Sequence, residues 1–161
     1  MDAIILFSHG SVLCGAEQNL LEIAASMETR GDARTVRVGF LNYSEPSLET
    51  AIEACVSRGA RTIHVAPYFL VEGKFVKEDL TSRIAEAKRL FPLVEVRVGR
   101  AIVDDIRLAS AILEAARDPH DTAHWRDSAA QAERFCRDSP KCPRNGTTEC
   151  PSTRERQQQT T

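Results

Sequence analysis

The residues best suited to chemistry stand where an apolar run breaks off. Ala3-Ile4-Ile5-Leu6-Phe7 ends abruptly at Ser8-His9-Gly10-Ser11, a polar and flexible turn. Neutral imidazole binds divalent first-row metals and takes up protons, which makes His9 the leading candidate for either task. Gly10 beside it carries no side chain and is expected to let a flat ligand approach the backbone. Other reactive types read differently. His64 falls inside a β-branched run and reads as structural, and Cys55 falls on an apolar stripe and reads as packing. Asp104 and Asp105 stand just ahead of a helical pattern and read as an N-cap pair, not as an acid/base dyad.

Something rigid has to hold the His9 turn. The Ala3–Phe7 run, with its adjacent isoleucines, reads as a strand buried on both faces, and in open parallel sheets ligands gather beyond the carboxyl ends of the strands. Downstream, Ala16, Leu20, Ile23, Ala24 and Met27 recur at helical spacing, with Gly31 at the C-cap position. Thr35–Phe40 is β-branched and alternating. Pro46 then stands at the expected first position of a second helix, whose stripe of Leu48, Ile52, Cys55 and Val56 runs to Gly59. Thr62–Ala66 is a third strand, followed by an unusually apolar connection, Tyr68–Phe75. Leu80, Ile84, Ala87 and Phe91 mark a third helix and Val94–Val98 a fourth strand. Ile106, Leu108, Ala109, Ile112 and Leu113 mark a fourth helix. Four successive β-α units predict an α/β fold with a four-stranded parallel sheet covered on both faces, the strand order left open.

Composition narrows the function classes. The 161 residues carry a formal net charge of −2, so there is no basic footprint for nucleic acid. No apolar run approaches the roughly 20 residues of a membrane span. Five cysteines, an odd number, fit a reducing compartment better than a disulfide framework. With no basic region after Met1-Asp2, the expected location is the cytoplasm.

Past Asp118 the large aliphatic residues vanish and Pro, Ser, Thr, Arg and Gln dominate. Residues 1–117 are therefore expected to form the α/β domain. Residues 118–161 are expected to form a polar C-terminal extension, largely disordered. The spacing of Trp125, Ala129, Ala132 and Phe135 allows one short helix there. Cys136, Cys142 and Cys150 are the candidate ligands of this extension. Their spacing matches neither a paired Cys-X-X-Cys zinc site nor a ferredoxin run.

Four turns in chain order, each after a strand, carry a resemblance. They are His9-Gly10-Ser11, Phe40–Ser47, Pro67–Asp79 and Gly99-Arg100-Ala101-Ile102. Together they resemble the small sirohydrochlorin chelatases of the CbiX/SirB type, from Met1 to about Ala116. The resemblance implies a three-layer α/β/α sandwich and an ATP-independent class II chelatase. Such an enzyme inserts Co²⁺, Fe²⁺ or Ni²⁺ into sirohydrochlorin or a related tetrapyrrole, in cobalamin- or sirohaem-type biosynthesis. The metal is a substrate and no organic cofactor is implied. Short members look like half of a two-lobed chelatase and pair as homodimers.

By the same resemblance, His9 matches the metal-binding, proton-accepting histidine, and Ser11 shares its motif on the substrate side. Glu45 matches the acidic residue of a Glu-Pro turn that contacts substrate, and Leu70, Val71, Glu72, Gly73, Lys74 and Phe75 match the substrate-binding loop. Apart from the resemblance, Lys74, Lys77 and Arg100 are candidates to pair with substrate carboxylates, although a solvated surface charge is the favoured reading of each. Some relatives append an iron–sulfur extension, which makes Cys136, Cys142 and Cys150 candidate cluster ligands, although a disordered tail with free thiols is the favoured reading. One departure matters: family members commonly place a second metal-binding histidine where this chain has Phe75. A phenyl ring cannot ligate a metal; a face of the macrocycle could stack on it, while Glu72, Glu45 or a residue of the partner chain supplies an oxygen ligand. The rival reading is a non-catalytic tetrapyrrole- or metal-binding protein that lost insertion along with that histidine.

Overall fold

A computed structural model describes residues 1–11, 16–71, 73–103, 105–119, 121, 145–147 and 150. These fall into two compact units, 1–10 with 19–105, and 11–18 with 106–161.

The first unit is built on four strands: β1 (Ala3–Ser8), β2 (Thr35–Phe40), β3 (Thr62–Pro67) and β4 (Glu95–Val98). All pairings are parallel and the spatial order is β2-β1-β3-β4. The chain leaves β1 toward one edge and returns to β3 on its other side, so the crossover direction reverses between β1 and β3. Helices therefore fall on opposite faces. The first, α1 (Gln18–Arg30), packs Leu20 and Ala24 on Ile4, Leu6, Val36, Val38 and Phe40. On the other face α2 (Leu48–Ser57) and α3 (Thr81–Leu90) pack Leu48, Ile52, Ile84 and Ala87 against Ile5, Phe7, Ile63 and Val65. Alternate residues of β1 thus feed two separate cores, as a strand with period 2 must. Ala3 through Phe7 are all buried, as the apolar run predicts for a central strand.

Local chemistry sets the ends of these elements. After α1, Gly31 takes a left-handed φ of 78°, with Gly31 N–H on the Glu28 carbonyl and Asp32 N–H on the Met27 carbonyl. Gly59 repeats this double-bonded stop after α2, at φ 82°. One expected boundary moves. Pro46 is not the first residue of α2: its carbonyl accepts Phe40 N–H at 2.9 Å, and the N-cap is Ser47, whose hydroxyl accepts Thr50 N–H at 3.2 Å. The Glu45–Pro46 bond is cis. The third connection is also shorter than its composition suggests. Phe75–Leu80 forms a π-helical turn that runs directly into α3, so Phe75 opens a helical segment instead of closing a loop.

In the second unit, α4 (Arg107–Arg117) is preceded by Ile106, without a side-chain cap. Its apolar residues Ile112 and Leu113 are 66% and 51% exposed. The N-cap position falls on Ile106 and not on Asp105 as expected; Asp105 Oδ2 accepts from Arg100 Nη2 at 3.2 Å. Asp104 lies outside the described residues. No helix among the described residues is long and apolar enough to cross a membrane.

Candidate functional site

Three turns at the carboxyl end of the sheet are laced to one another by backbone hydrogen bonds. Leu41 N–H donates to the Ser8 carbonyl and Asn42 N–H to the His9 carbonyl, both at 2.9 Å, tying the turn after β2 to the turn after β1. Tyr68 N–H donates to the Phe7 carbonyl at 2.7 Å, tying in the turn after β3. Val103 N–H reaches the Phe69 carbonyl at 3.3 Å, and the Phe69 ring lies 6.1 Å from that of Phe7. The His9 turn is therefore held from both sides at the point where the crossovers reverse, where open α/β sheets collect ligands.

His9 is half-buried there. Its Nδ1 lies 3.3 Å from the Gly10 carbonyl, and a carbonyl can only accept, so the Nδ1-protonated tautomer satisfies this contact. That tautomer makes Nε2 the acceptor nitrogen of the ring. Gly10, at φ 86°, plays a different part from the one its bareness suggests. A Cβ at this position would sit 1.9 Å from the Asn42 carbonyl oxygen, so the missing side chain admits the neighbouring turn, not a ligand.

Glu45 is exposed, and its Oε2 accepts Ser47 N–H at 3.1 Å, which folds the carboxylate back onto its own turn. Leu70 and Val71 are 60% and 74% exposed, an apolar surface on the turn after β3. Gly73 has open space around it. Lys74 Nζ is 4.0 Å from Glu78 with both side chains mostly in solvent, a pairing that adds little. Arg100 donates weakly to the Ala101 and Ile102 carbonyls, each at 3.4 Å, and pairs with Asp105, so it braces its own turn. Ser11, partly buried, belongs to the second unit. Glu72, Cys14, Cys136 and Cys142 lie outside the described residues, and Phe75 is described through its backbone.

Other sequence readings find their places away from these turns. His64 sits within β3 opposite Ile4 and Arg97. Cys55 is fully buried against the core, and burial pushes its thiol up to about 11. Cys150 is buried, with its N–H on the Thr147 carbonyl. Among the described residues no group of three or more His, Cys, Asp and Glu side chains converges as a metal cage.

Two residues with no separate signal in the sequence belong to the site. The Tyr43 ring packs on the His9 imidazole, 5.7 Å between centroids and tilted by 50°. Arg83 of α3 grips both Glu49 carboxylate oxygens, at 3.0 and 3.1 Å, and the Leu41 carbonyl at 3.0 Å, so that it holds the second turn from behind.

Comparison with known proteins bears on the family and the fold. The CbiX family model matches residues 3–119. A sirohydrochlorin ferrochelatase of Bacillus subtilis is 28% identical over 72% of this chain and 44% of its own length. A sirohydrochlorin cobaltochelatase of Methanopyrus kandleri is 38% identical over 50% of this chain and 56% of its own. The sirohydrochlorin chelatase SirB from Bacillus subtilis subspecies spizizenii, solved in complex with cobalt, superposes with a TM-score of 0.66 at 27% identity, covering 87% of this chain and 64% of that one. This chain therefore spans about half the length of the curated relatives it matches. With a match that takes in all four strands and the turns between them, the chain belongs to the CbiX family.

Proposed function

We propose that this chain is an ATP-independent chelatase that inserts Co²⁺, Fe²⁺ or Ni²⁺ into sirohydrochlorin or a related tetrapyrrole, as part of cobalamin- or sirohaem-type biosynthesis. The observation that carries the reading is His9, held on the laced turn at the carboxyl end of β1 with Nδ1 on the Gly10 carbonyl. Insertion asks for a group that both meets a partly dehydrated cation and accepts the protons leaving two pyrrole nitrogens. A neutral imidazole has one lone pair, so it holds the ion first and, once the ion has passed to the macrocycle, accepts one of the two protons while the other leaves to water. Ser11, Glu45 and the Leu70–Lys74 turn with Phe75 are assigned to the macrocycle. The exposed Leu70 and Val71 suit its apolar face, and Glu72 is the proposed oxygen donor to the metal.

The working domain is taken as residues 1–117, with 118–161 as an extension. The cytoplasm is kept as the compartment and a homodimer as the assembly. Support for the pairing is the match to the Bacillus subtilis ferrochelatase, which takes up 44% of that relative's length. The rival reading, a binder of tetrapyrrole or metal without insertion, draws on Phe75, which offers no metal ligand.

The test is to add each ion to protein and sirohydrochlorin and follow the absorption spectrum. The expected result is insertion faster than the uncatalysed reaction, with His9→Ala slower by a factor on the order of 100 or more and folded as before. Binding without acceleration would establish the rival. Wild-type turnover in His9→Ala would take the imidazole out of the chemistry.

A further inference from the structure

Tyr43 stands with a backbone φ of 63°, in the left-handed region that a glycine occupies freely and a bulky side chain does not. Strain of this kind persists only where the surroundings over-determine it. They do so here. Residues 41 and 42 are pinned to the His9 turn by two backbone bonds, Ser44 N–H closes on the Asn42 carbonyl at 2.7 Å, and Arg83 clamps Leu41 from behind. Burial does not repay the strain, since Tyr43 is 55% exposed. Its ring meets the His9 imidazole.

We infer that Tyr43 is a positioning residue: its ring holds the His9 imidazole in the orientation that sets Nδ1 on the Gly10 carbonyl. A free imidazole at the end of a strand can rotate about two side-chain torsions and exchange tautomers. A ring packed at 5.7 Å restricts that rotation, and the fixed turn behind Tyr43 makes the restriction firm. The inference deepens the chelatase reading and rests on it for its consequence in rate, but not for its consequence in geometry.

Because the backbone here favours glycine, Tyr43→Gly separates the ring's role from stability. The variant is expected to melt at or above the wild-type temperature. Its kcat for metal insertion should fall by about tenfold or more, while KM for the tetrapyrrole changes less, as loss of alignment dictates. Tyr43→Phe keeps the ring and should keep the wild-type kcat. Long-range proton–nitrogen spectra of the His9 ring should show one Nδ1-protonated tautomer in the wild type and in Tyr43→Phe, and a mixture in Tyr43→Gly. This last measurement needs no turnover, so it judges the inference even if the wild type inserts no metal and the chelatase reading falls. An unmixed tautomer in Tyr43→Gly would overturn the inference, as would a wild-type kcat in that variant or a Tyr43→Phe enzyme as slow as Tyr43→Gly.

Discussion

A methyl group at residue 10 has no room. Its carbon would lie 1.9 Å from the Asn42 carbonyl oxygen and 3.1 Å from Ser44 N, both backbone atoms that cannot swing aside. The φ of 86° adds a conformational cost of about 1 kcal/mol for any residue with a Cβ. Gly10→Ala is therefore expected to destabilise the fold by more than that amount and to push the second turn off the His9 turn. Gly73→Ala, which meets nothing within 4 Å, should stay within about 0.5 kcal/mol of wild type. Urea denaturation of the two variants checks the contrast, and equal losses would mean that the Gly10 contact yields by backbone movement. The importance of this glycine is legible in the sequence, because His-Gly-Ser stands at the end of a strand. Its reason is not, since the clash comes from a residue 32 positions later. Tyr43 is hidden for the same cause: an aromatic residue in a turn carries no mark of its φ or of the imidazole it meets.

At the scale of elements, the exposed edge of β2 shows how the sheet is finished. Val36 points its N–H away from the sheet, and Glu28 of α1 accepts it at 3.0 Å while also accepting from Arg37 Nη1 at 2.9 Å. An edge strand with its donors taken is a poor template for another strand. The Val36 N–H is the largest cause holding the Glu28 carboxyl below the usual glutamate range. Partial burial opposes it, and Arg37 and Arg58 assist it. A depressed folded pKa means that the stabilisation is complete above the unfolded value of about 4.3 and is lost as pH falls through the folded one. With a third of the side chain in water, the contribution should be no more than about 1 kcal/mol. Glu28→Gln keeps an acceptor but removes the charge, so its urea midpoint is expected below wild type near neutrality, with the gap closing as pH falls below about 4.3. A gap that stays constant with pH would mean that packing, not charge, is at stake.

The elements themselves were largely readable, since their apolar periods of 2 and 3.6 follow directly from burial. Their junctions were harder. Ser47 displaces Pro46 as the start of α2 because the Pro46 carbonyl is engaged by Phe40 N–H, a partner that local pattern does not reveal. Arg83 looks like one more charged residue on a helix until the fold brings Glu49 and Leu41 within its reach.

At the scale of the whole molecule, under the proposed chelatase reading, a chain that spans about half the length of the curated relatives it matches has to meet a flat substrate that presents two faces. On that reading one His9 turn would address one face, and an ion open to water at the other would be quickly rehydrated. Under the proposed pairing, the second copy covers that face, and a closed two-fold arrangement is the commonest way for identical chains to do so. Activity then belongs to the dimer and follows mass action. Insertion rate per chain is expected to fall on dilution, with its midpoint at the same concentration as the monomer–dimer midpoint in sedimentation. Above that concentration the rate per chain should be constant. A rate per chain that stays level while sedimentation passes from dimer to monomer would show that a single copy completes the site, and pairing would then serve some purpose other than enclosing the macrocycle.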